Sequence, residues 1–279
     1  MTRIFQLSDT HLSRRTPRFR RNYELVVRHA RSANYDVIVH TGDLTLDGIR
    51  HEDDLYHCRD ALGELGAPVL CVPGNHDVGN HPKIAKGGST GNGSGISEER
   101  LARSRAVVGA DYWLRDVPGW RLLGLDSMLC GSGLRAEEEQ YRWLDEALDT
   151  AGERRLALFI HQPVFIDDPA ENTLTYWCVD PAVRGRLGAL VEHPNLRLIA
   201  SGHLHTRRSA RHGRIALEWC SSTAFVAGPA LVPEMGGERH VGCVEHVLHV
   251  DHVESRTVQP AGMENPFIDD FIDEVYPLD

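Results

Sequence analysis

The chain has 279 residues, 41% of them hydrophobic, enough apolar material for a sizeable core, and residues 1–279 are expected to form one domain. Its formal net charge of −10 excludes a protein that binds duplex nucleic acid chiefly through a broad basic face. It shows neither an export signal nor an apolar run of the about 20 residues that a bilayer requires, so a soluble cytoplasmic protein is expected.

Six short apolar runs read as mostly buried strands, at 3–8, 36–41, 68–73, 121–127, 155–161 and 196–201. Helical patterns lie between them. In 21–33, Tyr23, Val26, Val27 and Ala30 recur at helical spacing, and 137–148 repeats this with Tyr141, Leu144, Ala147 and Leu148. The alternation predicts a layered α/β protein. Residues 86–95 (KGGSTGNGSG) are too polar and flexible for a core and predict a mobile loop. Runs 214–221 and 241–250 are strand-like with no long helix between them, which predicts a mixed or second sheet. The acidic tail 265–279, with Phe267, Ile268, Phe271, Ile272, Val275 and Tyr276 interspersed, predicts a terminal helix packed on the domain or on another subunit. Six cysteines without a Cys-x-x-Cys pair read as structural thiols, and no internal repeat is evident.

Five motifs fall at the ends of these runs. Asp9 and His11, just past the first strand, stand two apart and face the same way if the chain stays extended. Asp43 follows the second strand after Gly42, which permits a tight turn, and its two oxygens suit a bridge between two cations. The third run ends in Pro73-Gly74-Asn75-His76-Asp77, the most specific word in the chain. Asn75 offers a neutral oxygen ligand, His76 an imidazole that can act on a substrate, and Asp77 a carboxylate able to orient that imidazole. His161 closes the next strong strand, and Gly202-His203-Leu204-His205 the one after. Any one of the sixteen histidines is more simply a surface or core residue, but the ordered combination reverses that reading. With no thiolate, the donor set suits manganese, iron, zinc or cobalt.

This motif series resembles the calcineurin-like metallophosphoesterase superfamily, from Asp9 to His205, about three quarters of the chain. Residues 118–127, with Gln140 and Trp143-Leu144, further resemble its bacterial branch of class III cyclic-nucleotide phosphodiesterases and glycerophosphodiesterases. The resemblance implies a four-layer αββα sandwich with two mixed sheets flanked by helices. It implies one metal held by Asp9, His11, Asp43 and His205, and a second by Asp43, Asn75, His161 and His203. His76 would face the substrate with Asp77 supporting it, and hydroxide supplied between two divalent or mixed-valence cations would hydrolyse a small-molecule phosphodiester. A 3′,5′-cyclic nucleotide or a glycerophosphodiester leads among substrates, ahead of a cyclic sugar phosphate or a phosphomonoester. A nuclease and a non-catalytic scaffold are the remaining alternatives. A homo-oligomer is compatible with the family.

The Gly/Ser-rich stretch after Asp77, with Lys83 and Lys86, departs from that branch and would lie where the group attached to the phosphate is contacted. Arg14, Arg15, Arg18, Arg20 and Arg21, together with Arg207 and Arg208, either receive an anionic substrate or are ordinary solvated or ion-paired residues, the simpler reading.

Overall fold

The computed structural model describes residues 1–85, 95–229 and 231–276. The predicted loop 86–95 therefore lies outside the described residues except for Gly95, as do Lys86 and the last three residues of the tail.

The described strands are β1 (Thr2–Leu7), β2 (Val37–Thr41), β3 (Val69–Val72), β4 (Trp113–Val117), β5 (Trp120–Leu125), β6 (Arg155–Ile160), β7 (Leu196–Ser201), β8 (Arg208–His212), β9 (Ile215–Trp219), β10 (Cys243–Leu248) and β11 (Val253–Val258). The described helices are α1 (Arg20–Ala33), α2 (Glu52–Gly63), α3 (Asn75–Val78), α4 (Pro82–Ala85), α5 (Glu98–Val107), α6 (Arg135–Asp149), α7 (Gly188–Glu192) and α8 (Ile272–Val275). The strands form one sheet in the order β11-β10-β1-β2-β3 and another in the order β4-β5-β6-β7-β9-β8. Both are mixed: β1, β2 and β3 run parallel, with β10 antiparallel to β1 and β11 antiparallel to β10, and β5, β6, β7 and β9 run parallel with β4 and β8 antiparallel at the edges.

The period-2 alternation of the strands decides the layers. Ile4, Val37, Val39 and Val72 of the first sheet meet Trp120, Leu122, Ala157, Phe159, Leu198 and Ala200 of the second. Between them in sequence, Phe5, Leu7 and Ile38 turn outward onto Tyr23, Val26 and Ala30 of α1 and Cys58 and Ala61 of α2. On the other side, Leu156, Leu158 and Ile160 turn outward onto Tyr141, Leu144 and Ala147 of α6. The result is the expected αββα sandwich. Phe159 is fully buried between the sheets, and its truncation to alanine would cost about 3–5 kcal/mol.

Polar residues also bridge the sheets. Gln6 Nε2 donates to Ser201 O of the opposite sheet at 3.2 Å and to Thr41 Oγ1 at 3.0 Å, and its Oε1 pairs with His246 Nε2 at 2.8 Å. These bonds fix how the carboxyl ends of β1, β2 and β7 face each other.

Residues 118–127 and Gln140 prove to be joined structurally: Asp126 N–H donates to Gln140 Oε1 at 2.8 Å and Gln140 Nε2 to Asp126 O at 3.0 Å, tying α6 to the end of β5. All six cysteines are free, and burial pushes the Cys71 and Cys130 thiols up to about 12, as inert structural thiols require. The tail packs on the domain itself, where Ile268 and Val275 are buried with Phe19, Leu46 and Phe225. Among the described residues no helix is long and apolar enough to cross a membrane.

Candidate metal centre

Every motif residue stands just past the carboxyl end of a parallel strand: Asp9 and His11 after β1, Asp43 after β2, Asn75 and His76 after β3, His161 after β6, and His203 and His205 after β7. Three of these strands belong to one sheet and two to the other, so the side chains converge on the rim where the sheets meet.

The backbone is bent to bring them there. Among the described residues six non-glycine residues have positive φ, and five are Asp9 (52°), His11 (42°), Asp43 (52°), His203 (69°) and His205 (50°). Each such residue costs about 1–3 kcal/mol, so the surrounding structure must hold it. It does so by a ladder between loops: Asp9 N–H donates to Gly42 O at 2.9 Å, His11 N–H to Asp43 O at 3.1 Å and Leu12 N–H to Leu44 O at 2.9 Å. Gly42 has φ +90°, and a Cβ there would stand 2.5 Å from His161 Nδ1. A Cβ on Gly74 would fall within the Asp43 carboxylate.

Two groups of donors result, sharing one oxygen. In the first, His11 Nε2 lies 3.2 Å from His205 Nε2, which is 3.3 Å from Asp9 Oδ1, and 3.8 Å from Asp43 Oδ2. In the second, His161 Nε2 lies 3.4 Å from the same Asp43 Oδ2, 3.3 Å from Asn75 Oδ1 and 3.2 Å from His203 Nδ1.

The second nitrogen of three of these four rings shows what belongs between them. His161 Nδ1 meets Thr41 O at 2.7 Å, His205 Nδ1 meets Phe225 O at 3.0 Å and His203 Nε2 meets Tyr176 O at 2.8 Å. A carbonyl only accepts, so each of these nitrogens carries a proton and turns the other nitrogen of its ring inward. Lone pairs about 3 Å apart and beside two carboxylates repel unless a cation lies among them, so the residues present fit a metal pair.

The charges agree. Burial opposes ionising Asp43 and Asp9, yet His161 beside Asp43 and His205 beside Asp9 hold both carboxyls below the usual range. Burial likewise opposes a charge on His161, but Asp43 and Asp9 outweigh it and push that imidazole up to about 9. Burial and the neighbouring His161 take His203 down to about 3. A proton on His161 thus answers the same negative charge that a cation would.

His76 Nδ1 meets Leu46 O at 2.8 Å, leaving Nε2 as its reactive position, and its ring stands edge-on to His11 at 4.8 Å. The role expected of Asp77 is corrected here: it does not orient this imidazole. Its oxygens accept from the amides of Leu44, Thr45 and Gly74 at 3.1, 2.9 and 2.9 Å and from Thr45 Oγ1 at 2.8 Å. Asp77 therefore ties the loop after β2 to the loop after β3, and the Leu46 carbonyl positions the imidazole.

Tyr176 carries no sequence signal but holds two of the donors: its Oη accepts from Asn75 Nδ2 at 3.1 Å and its carbonyl takes the His203 N–H. The arginines take the simpler reading. Arg15 pairs with Asp54, Arg18 with Glu274, Arg20 with Glu64, Arg21 with Glu264, Arg207 with buried Glu218 and Arg208 with Asp167. Lys83 is tied to Asp180 at 2.9 Å.

The chain is 30% identical over 203 residues to the 3′,5′-cyclic adenosine monophosphate phosphodiesterase CpdA of Pseudomonas aeruginosa, covering 70% of this chain and 63% of that protein. It is 28% identical over 144 residues to the serine/threonine-protein phosphatase CPPED1 of Bos taurus, covering 50% of this chain and 41% of that one. The chain thus spans less than two thirds of the length of either relative. A solved dimetal phosphatase from Danio rerio shares the fold, with a TM-score of 0.59 at 15% identity over 93% of this chain and 99% of that one. The family model of the calcineurin-like phosphoesterases matches residues 2–207, a span that contains all five strand-end motifs, and the chain belongs to that family.

Proposed function

We propose that this chain hydrolyses small-molecule phosphodiesters with two transition-metal cations drawn from manganese, iron, zinc and cobalt. Asp9, His11, Asp43 and His205 would hold one cation and Asp43, Asn75, His161 and His203 the other, with Asp43 common to both groups. The observation that carries this reading is the inward convergence of imidazole lone pairs whose outer nitrogens are committed to carbonyls. When bound, such a pair neutralises the phosphate oxygens and makes water nucleophilic at neutral pH.

The protein groups supply orientation and a proton. Tyr176 fixes the Asn75 amide so that its oxygen faces the centre. His76, anchored through Nδ1, gives its Nε2 proton to the leaving oxygen, passing from imidazolium to neutral imidazole as the P–O bond breaks. Asp77 contributes by holding the two loops in register rather than by contact with the substrate.

Likeness to a cyclic adenosine monophosphate phosphodiesterase supports a 3′,5′-cyclic nucleotide as substrate, with a glycerophosphodiester or cyclic sugar phosphate next. Likeness to a serine/threonine-protein phosphatase favours, as the second reading, a phosphomonoester. The acidic charge supports action on small molecules rather than duplex nucleic acid, with residues 1–279 working as one cytoplasmic catalytic domain, alone or as a homo-oligomer.

The test is hydrolysis by manganese-loaded protein of cyclic AMP, glycerophosphocholine, a five-membered cyclic sugar phosphate, a nitrophenyl diester and its monoester, with Asp43→Ala as the blank. A kcat/KM for one natural diester about 100-fold above the rest establishes the substrate class. Preference for the monoester by that margin replaces the leading reading with the second.

A further inference from the structure

The segment 267–276, beyond the residues 2–207 that the family model matches, lies against the candidate centre. Of the five imidazoles at the site, four rest their outer nitrogen on a backbone carbonyl: His76 on Leu46, His161 on Thr41, His203 on Tyr176 and His205 on Phe225. His11 does not. Among the described residues its Nδ1 has one partner, the Oη of Tyr276, at 3.5 Å and 265 positions away in sequence. The Tyr276 ring also lies over His76, with 5.5 Å between ring centroids.

With the segment seated, none of Asp9, His11, Asp43, Asn75, His76, His161, His203 and His205 is more than 8% exposed, and withdrawal of 271–276 would bare the rings it touches, His11 and His76. The segment is built for that. Its first half is pinned by hydrogen bonds to the backbone of 226–228, Ile268 N–H donating to Val226 O at 2.9 Å and Gly228 N–H to Asp269 Oδ2 at 2.7 Å. From Phe271 onward it is held to the rest of the protein by side chains: Arg18 stacks on the Phe271 ring at 4.4 Å and pairs with exposed Glu274, and Val275 packs beside Phe225. An exposed ion pair of this kind holds only weakly.

We propose that Tyr276 is a positioning residue of the metal centre: its hydroxyl accepts the His11 Nδ1–H, turns the Nε2 lone pair toward Asp43 and His205, and couples seating of 271–276 to occupancy of the cation site that His11 lines. This rests on the two-cation reading. Coupling is reciprocal, so a seated segment that tightens one cation is itself held down by that cation to the same factor.

Tyr276→Phe removes the hydroxyl and keeps the ring, and a chain ending at Asp270 removes the cover. Competition with a chelator for Mn²⁺ should show two ions in the wild type. In Tyr276→Phe one ion binds about 10–100-fold more weakly while the other is unchanged, the range for losing a partner of a metal-ligating histidine. Metal-free Tyr276→Phe should melt as the wild type does, separating this role from a structural one. Mn²⁺ should slow chymotryptic cleavage after Phe271 in the wild type and should slow it less in Tyr276→Phe, with the Asp270-terminated chain matching the weakened affinity if it folds. A wild type with two ions and a Tyr276→Phe variant with unchanged affinities overturns the coupling alone. A wild type that binds fewer than two ions overturns the two-cation reading and the coupling with it.

Discussion

Asp43 and His76 are joined through the backbone: the His76 N–H donates to Asp43 Oδ1 at 2.9 Å, while Asp43 Oδ2 faces His11 at 3.8 Å and His161 at 3.4 Å. One carboxylate thus positions the loop that carries the imidazole and turns its other oxygen toward both groups of donors. Asp43→Asn should retain the first task and lose the second, because an amide nitrogen at the Oδ2 position donates where a metal needs a lone pair. Metal analysis after dialysis should find both ions depleted in that variant. His76→Ala should keep both ions and lower kcat by about 10²–10⁴-fold, the contribution of general acid–base help. A His76→Ala protein that loses its metals would show the imidazole to be a ligand instead.

Asp77→Ala should be chiefly a stability defect. Three buried amides, of Leu44, Thr45 and Gly74, lose their acceptor, at about 1–3 kcal/mol each before relaxation. The metal-free protein should melt at least about 6 °C lower, as about 2–4 °C per kcal/mol implies even at the low end of that loss. An unchanged melting temperature with reduced kcat would restore Asp77 as the partner of the imidazole.

Acid should unfold the protein through a buried histidine away from the metal ligands. Burial, reinforced by Arg207, takes His246 down to about 3, and the neutral ring bridges Gln6 and Ser255 at 2.8 Å each. Its folded value lies below its unfolded value of about 6.5, so between them the unfolded chain binds the extra proton and stability rises with pH. The contribution is full above about 6.5 and is lost at about 1.4 kcal/mol per pH unit as pH falls toward 3. Urea midpoints from pH 7 to 4 should fall less steeply in His246→Asn than in the wild type. Parallel slopes would refute the assignment.

Gly42→Ala should damage the second group of donors before the first. The added Cβ meets His161 Nδ1 at 2.5 Å and displaces the ring from the Thr41 carbonyl, and φ +90° is strained for any side chain. Chelator competition should show loss of one ion with a lower melting temperature, and two undiminished affinities would contradict the close approach.

The sequence by itself determined which residues meet at the rim and which strands carry them. Asp9, His11, Asp43, Asn75, His161, His203 and His205 are legible because each sits at the end of an apolar run, and a short parallel strand puts its carboxyl end on one side of the sheet. The strands that escaped are edge strands. Both β8 and β11, on the outer margins of their sheets, and β4 at the opposite margin bury few side chains, so no apolar run announces them. Helices α2 and α5 bury only a few positions each, such as Leu55, Cys58 and Ala61 or Leu101 and Val107, and leave a weak pattern.

Only the tertiary structure decided what each ligand leans on. The carbonyls of Thr41, Leu46, Tyr176 and Phe225 that set the imidazole tautomers are backbone groups, which every residue type carries, and composition cannot mark them. The ion-paired reading of the arginines near the motifs gains its partners only on folding, which brings Asp54, Glu64, Glu218 and Glu274 beside them. Tyr276 reaches His11 from the far end of the chain by the same route: side-chain chemistry is written locally, but its partners are set by which surfaces the two sheets and the closing segment bury together.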